Sequence, residues 1–228
     1  MAPQPRRKKP AKRTYRRKGR KGYRRRNYVV SRSVVPDTFL TRFVYVTTVN
    51  LDPDSTGTAT YASYRANGMW DPTVAVGGHQ PLGFDEYVGK LYNAFTVLGS
   101  KITCHFSPTG TNAVCNVGIQ LTDGTTPNTT ALTWMEQPRV RYRIAGAANS
   151  LPTATLSYKF SARKFFSKSN VTDDPELDGS ASHDPTEQAY YHILGSSPGN
   201  TVDPPVIICN VRIEYIALLK KPKTLTQS

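Results

Sequence analysis

From Asp37 onward the chain alternates between apolar and polar positions. Short runs of β-branched and aromatic residues interleave with polar ones, and Gly, Pro, Asn and Asp break the runs. A period of two predicts strands with one apolar face. The first covers residues 39–49, with Phe39, Thr41, Phe43, Tyr45 and Thr47 on a common face. Further strands are expected over residues 58–65, 92–106, 113–122, 139–144, 154–162 and 189–194, the second of these bent at Gly99. The turn Pro108-Thr109-Gly110 predicts a hairpin between residues 92–106 and 113–122. The last strand is the clearest: Cys209, Val211, Ile213, Tyr215, Ala217 and Leu219 share one face, and Asn210, Arg212 and Glu214 take the other. One short helix is expected over residues 84–91, with Asp85 and Glu86 near its N-terminus as the macrodipole prefers, and another helical turn near Trp134.

Eight strands and almost no helix make this an all-β protein. The long loops at residues 52–57, 68–81, 123–135 and 171–186 argue against an up-and-down barrel and fit a single eight-stranded jelly roll, two packed antiparallel sheets whose connections cross between them. An immunoglobulin-type sandwich would show a Cys…Trp…Cys spacing, which is missing. No run of 18 apolar residues occurs, so no membrane insertion is expected. The basic N-terminus lacks the apolar stretch of a secretory signal. The three cysteines, Cys104, Cys115 and Cys209, read as reduced, buried thiols, with one disulfide as the alternative.

Charge divides the chain. Residues 1–26 carry fourteen Lys or Arg and no acid, whereas the remaining 202 residues carry sixteen of each sign. The cations are Arg6, Arg7, Lys8, Lys9, Lys12, Arg13, Arg16, Arg17, Lys18, Arg20, Lys21, Arg24, Arg25 and Arg26. So dense a like-charge run cannot bury apolar surface, and residues 1–36 are expected to form a disordered arm ahead of a body over residues 37–222 and a tail over 223–228. Such an arm would bind a polyanion with a steep salt dependence and little sequence preference. Tyr15, Tyr23 and Tyr28 lie among the charges and can stack on unpaired bases, which favours a single-stranded partner. A solubility tail and a nuclear localisation signal are the competing readings, and the second is compatible with nucleic-acid binding.

The body offers little catalytic chemistry. It has neither a G-x-x-x-x-G-K-[ST] loop nor a G-x-G-x-x-G fingerprint. His79, His105, His183 and His192 are scattered, and no C-x-x-C occurs, which argues against zinc and against a cupin-type enzyme. No cofactor, metal or catalytic residue is expected. His79 reads as a hydrogen-bonded loop residue and His105 as a strand-face residue. Asp173, Asp174, Glu176 and Asp178 lack the full calcium-loop pattern and read as a solvated loop, with an intersubunit ion pair as second choice. Asn128-Thr129-Thr130 and Asn170-Val171-Thr172 match the glycosylation sequon, as a Thr-rich chain does by chance. Trp70 and Trp134 read as packing anchors. Arg139, Arg141 and Arg143 are spaced to share one strand face, which would meet nucleic acid, a neighbouring subunit or solvent.

Two stretches carry a resemblance. One is Met69-Trp70-Asp71-Pro72, Gly78-His79-Gln80-Pro81-Leu82-Gly83-Phe84-Asp85-Glu86-Tyr87, Leu91-Tyr92-Asn93 and Thr96-Val97-Leu98-Gly99-Ser100-Lys101-Ile102; the other is Tyr158-Lys159-Phe160, Lys164-Phe165-Phe166, Asp184-Pro185-Thr186-Glu187 and Ala189-Tyr190-Tyr191-His192. With the basic arm in front, the chain resembles capsid proteins of circular Rep-encoding single-stranded DNA viruses, the circovirus-like group. The resemblance implies a jelly-roll shell protein, sixty copies closing a T=1 capsid, and arms that package circular single-stranded DNA and double as a nuclear import signal. The implied partners are other copies of the chain, the DNA genome, the host nuclear import machinery and a host attachment factor that the sequence does not identify. The implied locations are the virion and, during assembly, the nucleus. Sixty arms would carry about 840 charges, roughly half those of a genome of about two thousand nucleotides. A satellite-virus-type coat protein packaging single-stranded RNA and a non-viral single-strand-binding protein are the alternatives.

Overall fold

The computed structural model describes residues 34–109, 114–130, 132–146, 153–199 and 203–225. Its strands in chain order are β1 (Thr38–Leu51), β2 (Thr60–Arg65), β3 (Tyr92–Pro108), β4 (Val114–Thr122), β5 (Val140–Gly146), β6 (Ala154–Ser161), β7 (Asp178–Gly179), β8 (Tyr190–Ser196) and β9 (Ile207–Pro222). One sheet has the order β1-β9-β3-β6, with β7 beside β3; the other has the order β2-β8-β4-β5, and all the pairings are antiparallel. Among the long strands only β4 and β5 are joined within one sheet; every other connection crosses. That is jelly-roll topology.

The alternation in the sequence produces this arrangement directly. In β9, Ile207, Cys209, Val211, Ile213, Tyr215, Ala217 and Leu219 are buried, and the intervening residues face outward. β9 pairs along its length with β1 and with β3, so it is the spine of its sheet. Its apolar face meets Val117, Ile119, Tyr191 and Ile193 of the other sheet in one continuous core. Each such buried side chain contributes about 1.5–3 kcal/mol of transfer free energy. β8 is buried along both faces, because the loop that carries α2 (Thr133–Glu136) covers its outer side.

Three expectations need correction. Residues 92–106 and 113–122 do not form a hairpin: β3 and β4 belong to different sheets, and each pairs with other strands. The helix at residue 84 is one turn, α1 (Phe84–Tyr87), because Val88 is extended and Gly89 turns the chain at φ +99° into β3. A ninth strand, β7, was missed. Its two residues carry no period, and Gly179 is there because a Cβ would stand 2.3 Å from the Phe95 ring. The bend at Gly99 is present as a register shift between Val97 and Gly99 against β9. A Cβ at Gly99 would lie 2.9 Å from the Phe160 carbonyl oxygen of β6.

Candidate nucleic-acid interface

The arm cations Arg6 to Arg26, with Tyr15, Tyr23 and Tyr28, lie outside the described residues. Where the described chain begins, Val34 is exposed and Val35 is buried. The Tyr92 hydroxyl donates to the Pro36 carbonyl at 3.0 Å, and β1 starts with Thr38 opposite Lys220. The segment entering β1 is therefore held by burial, a hydrogen bond and strand pairing.

Of the three arginines expected on one face, Arg139 precedes the strand at φ +60°, with its guanidinium 4.6 Å from the Phe165 ring centre. Arg141 and Arg143 do share a face, opposite Ile119 and Val117. At this sheet edge they reach toward β6. Arg141 donates to the Ser157 carbonyl at 3.1 Å and lies 5.3 Å from the Tyr158 ring. The two arginines line a groove of about 400 Å³ between β5 and β6.

The acidic loop is not merely solvated. Lys168 Nζ lies 2.7 Å from Asp174 and 3.1 Å from Glu176 and also pairs with Glu187; Lys220 lies 2.5 Å from Asp178. Asp174, Glu176 and Glu187 converge closely enough to hold a cation, and the Lys168 ammonium fills that place. Its hydrogen bonds to these carboxylates raise the Lys168 pKa, and Lys168 in turn lowers that of Asp174. The loop expected to be solvated, with an intersubunit pair as second choice, is thus held by ion pairs within the chain.

The two sequence stretches that carry the resemblance meet in space. Asp184 accepts the backbone N–H groups of Trp70 at 2.9 Å and Asp71 at 3.2 Å, and lies 3.5 Å from Arg65 Nε. Arg65 donates to the Asp71 and Thr73 carbonyls and to Gln188 Oε1. Asn67 donates to the Glu187 carbonyl and accepts from Ala189 N–H. Gly68 is required at this junction: a Cβ there would meet Arg65 Cδ and Asp184 Oδ1, each at 2.7 Å. Burial pushes the Asp184 carboxyl up to about 6, against the opposing pull of Arg65 and the two N–H donors. This clamp escaped the sequence reading because its partners lie more than a hundred positions apart; the one local signal was an Asp-Pro pair at the end of a long loop.

His192 was also passed over. It is fully buried on β8 and ties three elements together. Its Nε2–H donates to the Gly124 carbonyl at 3.0 Å, so Nδ1 accepts from the Ser63 hydroxyl at 2.7 Å. Burial lowers its pKa to about 4, so it is neutral at physiological pH. His79 sits between the Val46 and Gln80 carbonyls, and His105 Nδ1 lies 2.9 Å from Thr155 Oγ1 on the strand face. Trp134 is fully buried, with its Nε1–H on Ser196 Oγ at 3.2 Å, whereas Trp70 is partly exposed above the Asp184 clamp. All three cysteines are buried and free. Among the described residues no helix is long and apolar enough to cross a membrane.

With strand order and loops in place, the comparison with solved structures is informative. A chain in the structure of the Macrobrachium rosenbergii nodavirus superposes with a TM-score of 0.50 at 12% identity, over 99% of this chain and 62% of that one. The chain has the jelly-roll fold found in viral capsids. Cocksfoot mottle virus (TM-score 0.46, 14% identity, 82% of this chain and 97% of that one) and Desmodium yellow mottle tymovirus (0.45, 12%, 88% and 98%) also match. No protein-family model matches the sequence, and no curated protein matches it.

Proposed function

We propose that this protein is a viral capsid protein: its jelly-roll body builds a shell from many copies, and its basic arm packages the nucleic-acid genome. The observation that carries the reading is the joining of a body with capsid-type strand order, fourteen cations against sixteen acids over residues 37–222, to an arm with fourteen cations in its first 26 residues. Arm cations displace counterions from phosphates and gather the strand, while a body of small net charge meets its copies without large long-range repulsion. The finer reading is a circovirus-like shell of sixty copies around circular single-stranded DNA, its arm serving also as a nuclear import signal. The contact of Asp184 with the backbone N–H groups of Trp70 and Asp71 supports it, since both sides of that contact belong to the motifs that carry the resemblance.

Electron microscopy of the purified protein, joined to nuclease typing of the strand it holds, tests this. The expected result is closed particles whose nucleic acid is single-stranded and DNase-sensitive. RNase-sensitive content would shift the genome to RNA and leave the shell reading intact. A protein that stays monomeric at high concentration, with and without nucleic acid, would overturn it. A fusion of residues 1–36 to a fluorescent protein tests import, with nuclear accumulation expected and a diffuse signal counting against it.

A further inference from the structure

The near-balanced charge of the body, fourteen cations against sixteen acids over residues 37–222, conceals a polarised face. The outer side of the sheet β1-β9-β3-β6 is open, and register places its residues in rows. One row reads Val44, Glu214, Lys101, Lys159 across the four strands. Lys101 and Lys159 thus stand directly opposite each other, with Cβ atoms about 4.5–5.5 Å apart as in any such pair. The only carboxylate in the row is Glu214, and two arginines already hold it: Arg212 at 2.7 Å and Arg42 at 3.8 Å. Among the described residues neither lysine has an ion-pair partner. Four cations therefore share one anion, and Arg42, Lys101 and Lys159 line a groove of about 380 Å³ in which Ile216 forms part of the wall.

Like charges placed directly across an antiparallel pair destabilise a sheet. An external anion that neutralises both lysines removes that cost. The outer face of the other sheet has no such feature. It presents Tyr61, Tyr142 and Ile144, and its one cation on β2, Arg65, is spent on Asp71 and Asp184.

We infer that the face bearing Arg42, Lys101, Lys159 and Arg212 is a second nucleic-acid contact, which binds the phosphodiester backbone of a single strand independently of the arm. Charge complementarity selects the backbone. Exposed Ile216 among the cations gives an unstacked base an apolar surface to rest on, which a duplex with its bases turned inward does not use. The inference deepens the proposed function and rests on its claim that the chain engages nucleic acid.

Three full-chain variants test it with oligo-dT as the probe: Lys101→Gln with Lys159→Gln on the face, Arg24→Gln with Arg25→Gln in the arm, and Lys90→Gln with Lys221→Gln by the start of β3. Each removes two positive charges. Loss of two phosphate contacts should lower the log–log salt slope by about 1.4. The affinity gap to wild type should then narrow about sevenfold between about 50 mM and about 200 mM salt. The face and arm variants should each show this change, and the distal variant none. The face variant should also melt at a higher temperature than wild type without nucleic acid, which shows that it folds. A face variant that keeps the wild-type slope while the arm variant loses its share overturns the inference and leaves the proposed function standing. Wild-type protein without affinity for oligo-dT overturns both.

Discussion

Replacing Asp184 by Asn isolates one buried charge. Burial lifts the carboxyl from 3.8 in the unfolded chain to about 6 in the fold. As pH rises, the unfolded state gives up its proton first, so stability falls through this window. The shift corresponds to about 3 kcal/mol between acid and neutral pH, about 2 kcal/mol of it between about pH 4 and about pH 6. Asn cannot ionise. The unfolding free energy of wild type minus that of Asp184→Asn should therefore fall by about 2 kcal/mol across that interval and level off above it. The attraction to Arg65 acts on the ionised carboxyl and is already contained in the folded value of about 6, while the lost acceptor for one N–H sets the offset of this curve. Urea unfolding at a series of pH values, followed by tryptophan fluorescence, measures it. A difference that does not vary with pH would refute the reasoning. His192 makes the result sharper because its sign is opposite. Its folded pKa of about 4 lies below its ordinary 6.5, so the unfolded state takes up a proton first as pH falls. Stability worth about 3 kcal/mol, present above about pH 6.5, is lost by about pH 4. In wild type the two dependences offset each other. In Asp184→Asn the histidine acts without that offset, and the variant should lose stability on acidification through the interval.

Other outcomes follow from packing. Gly118→Ala would place a Cβ 2.4 Å from the Trp134 ring, and overpacking should cost about 1–3 kcal/mol in urea unfolding, with a change in near-ultraviolet dichroism from the displaced indole. Gly68→Ala meets Arg65 and Asp184 together and should lower the melting temperature; in the Asp184→Asn background the loss should not simply add, because the two sites share partners. Cys104, Cys115 and Cys209 should resist a thiol reagent in the native protein and react once denatured, since all three are buried and burial raises the Cys115 thiol to about 11.

Most of the fold was legible in the sequence because it rests on a period of two. β9 needed nothing else: its alternating residues are the buried set. The hairpin expectation failed for an equally physical reason. Pro108-Thr109-Gly110 marks a change of direction, but a turn signal does not say whether the next strand pairs with the last or crosses to the facing sheet. That choice is made by partners far away in sequence, β9 and β6 for β3, and β8 and β5 for β4. Single residues fared likewise. The spacing of Arg139, Arg141 and Arg143 placed the last two together, while the left-handed backbone at Arg139 took it out of the strand. The acidic loop showed its charges in sequence, yet Lys220, which pairs with Asp178 from 42 positions away, was not a local signal.

The same separation in sequence explains why a body of nearly balanced charge misleads. Its acids are not spread evenly over its cations. Asp174, Glu176, Asp178, Asp184 and Glu187 gather on two stretches of loop, where Lys168, Lys220 and Arg65 occupy them. With those acids spent, the sheet face of Arg42, Lys101, Lys159 and Arg212 is left with Glu214. A sum over the chain averages these regions; a ligand within a Debye length of about 8 Å meets only one of them. A closed shell requires a protomer whose two sheet faces differ, because one face looks onto packaged phosphate and the other does not. If the chain closes such a shell, the basic face belongs inside, facing packaged phosphate, and the surface of Tyr61, Tyr142 and Ile144 belongs outside. Lysine-reactive reagents too large to enter assembled particles should then label Lys101 and Lys159 in free subunits and spare them after assembly; labelling that stays equal in both states would place the face outside and break the link between body and genome.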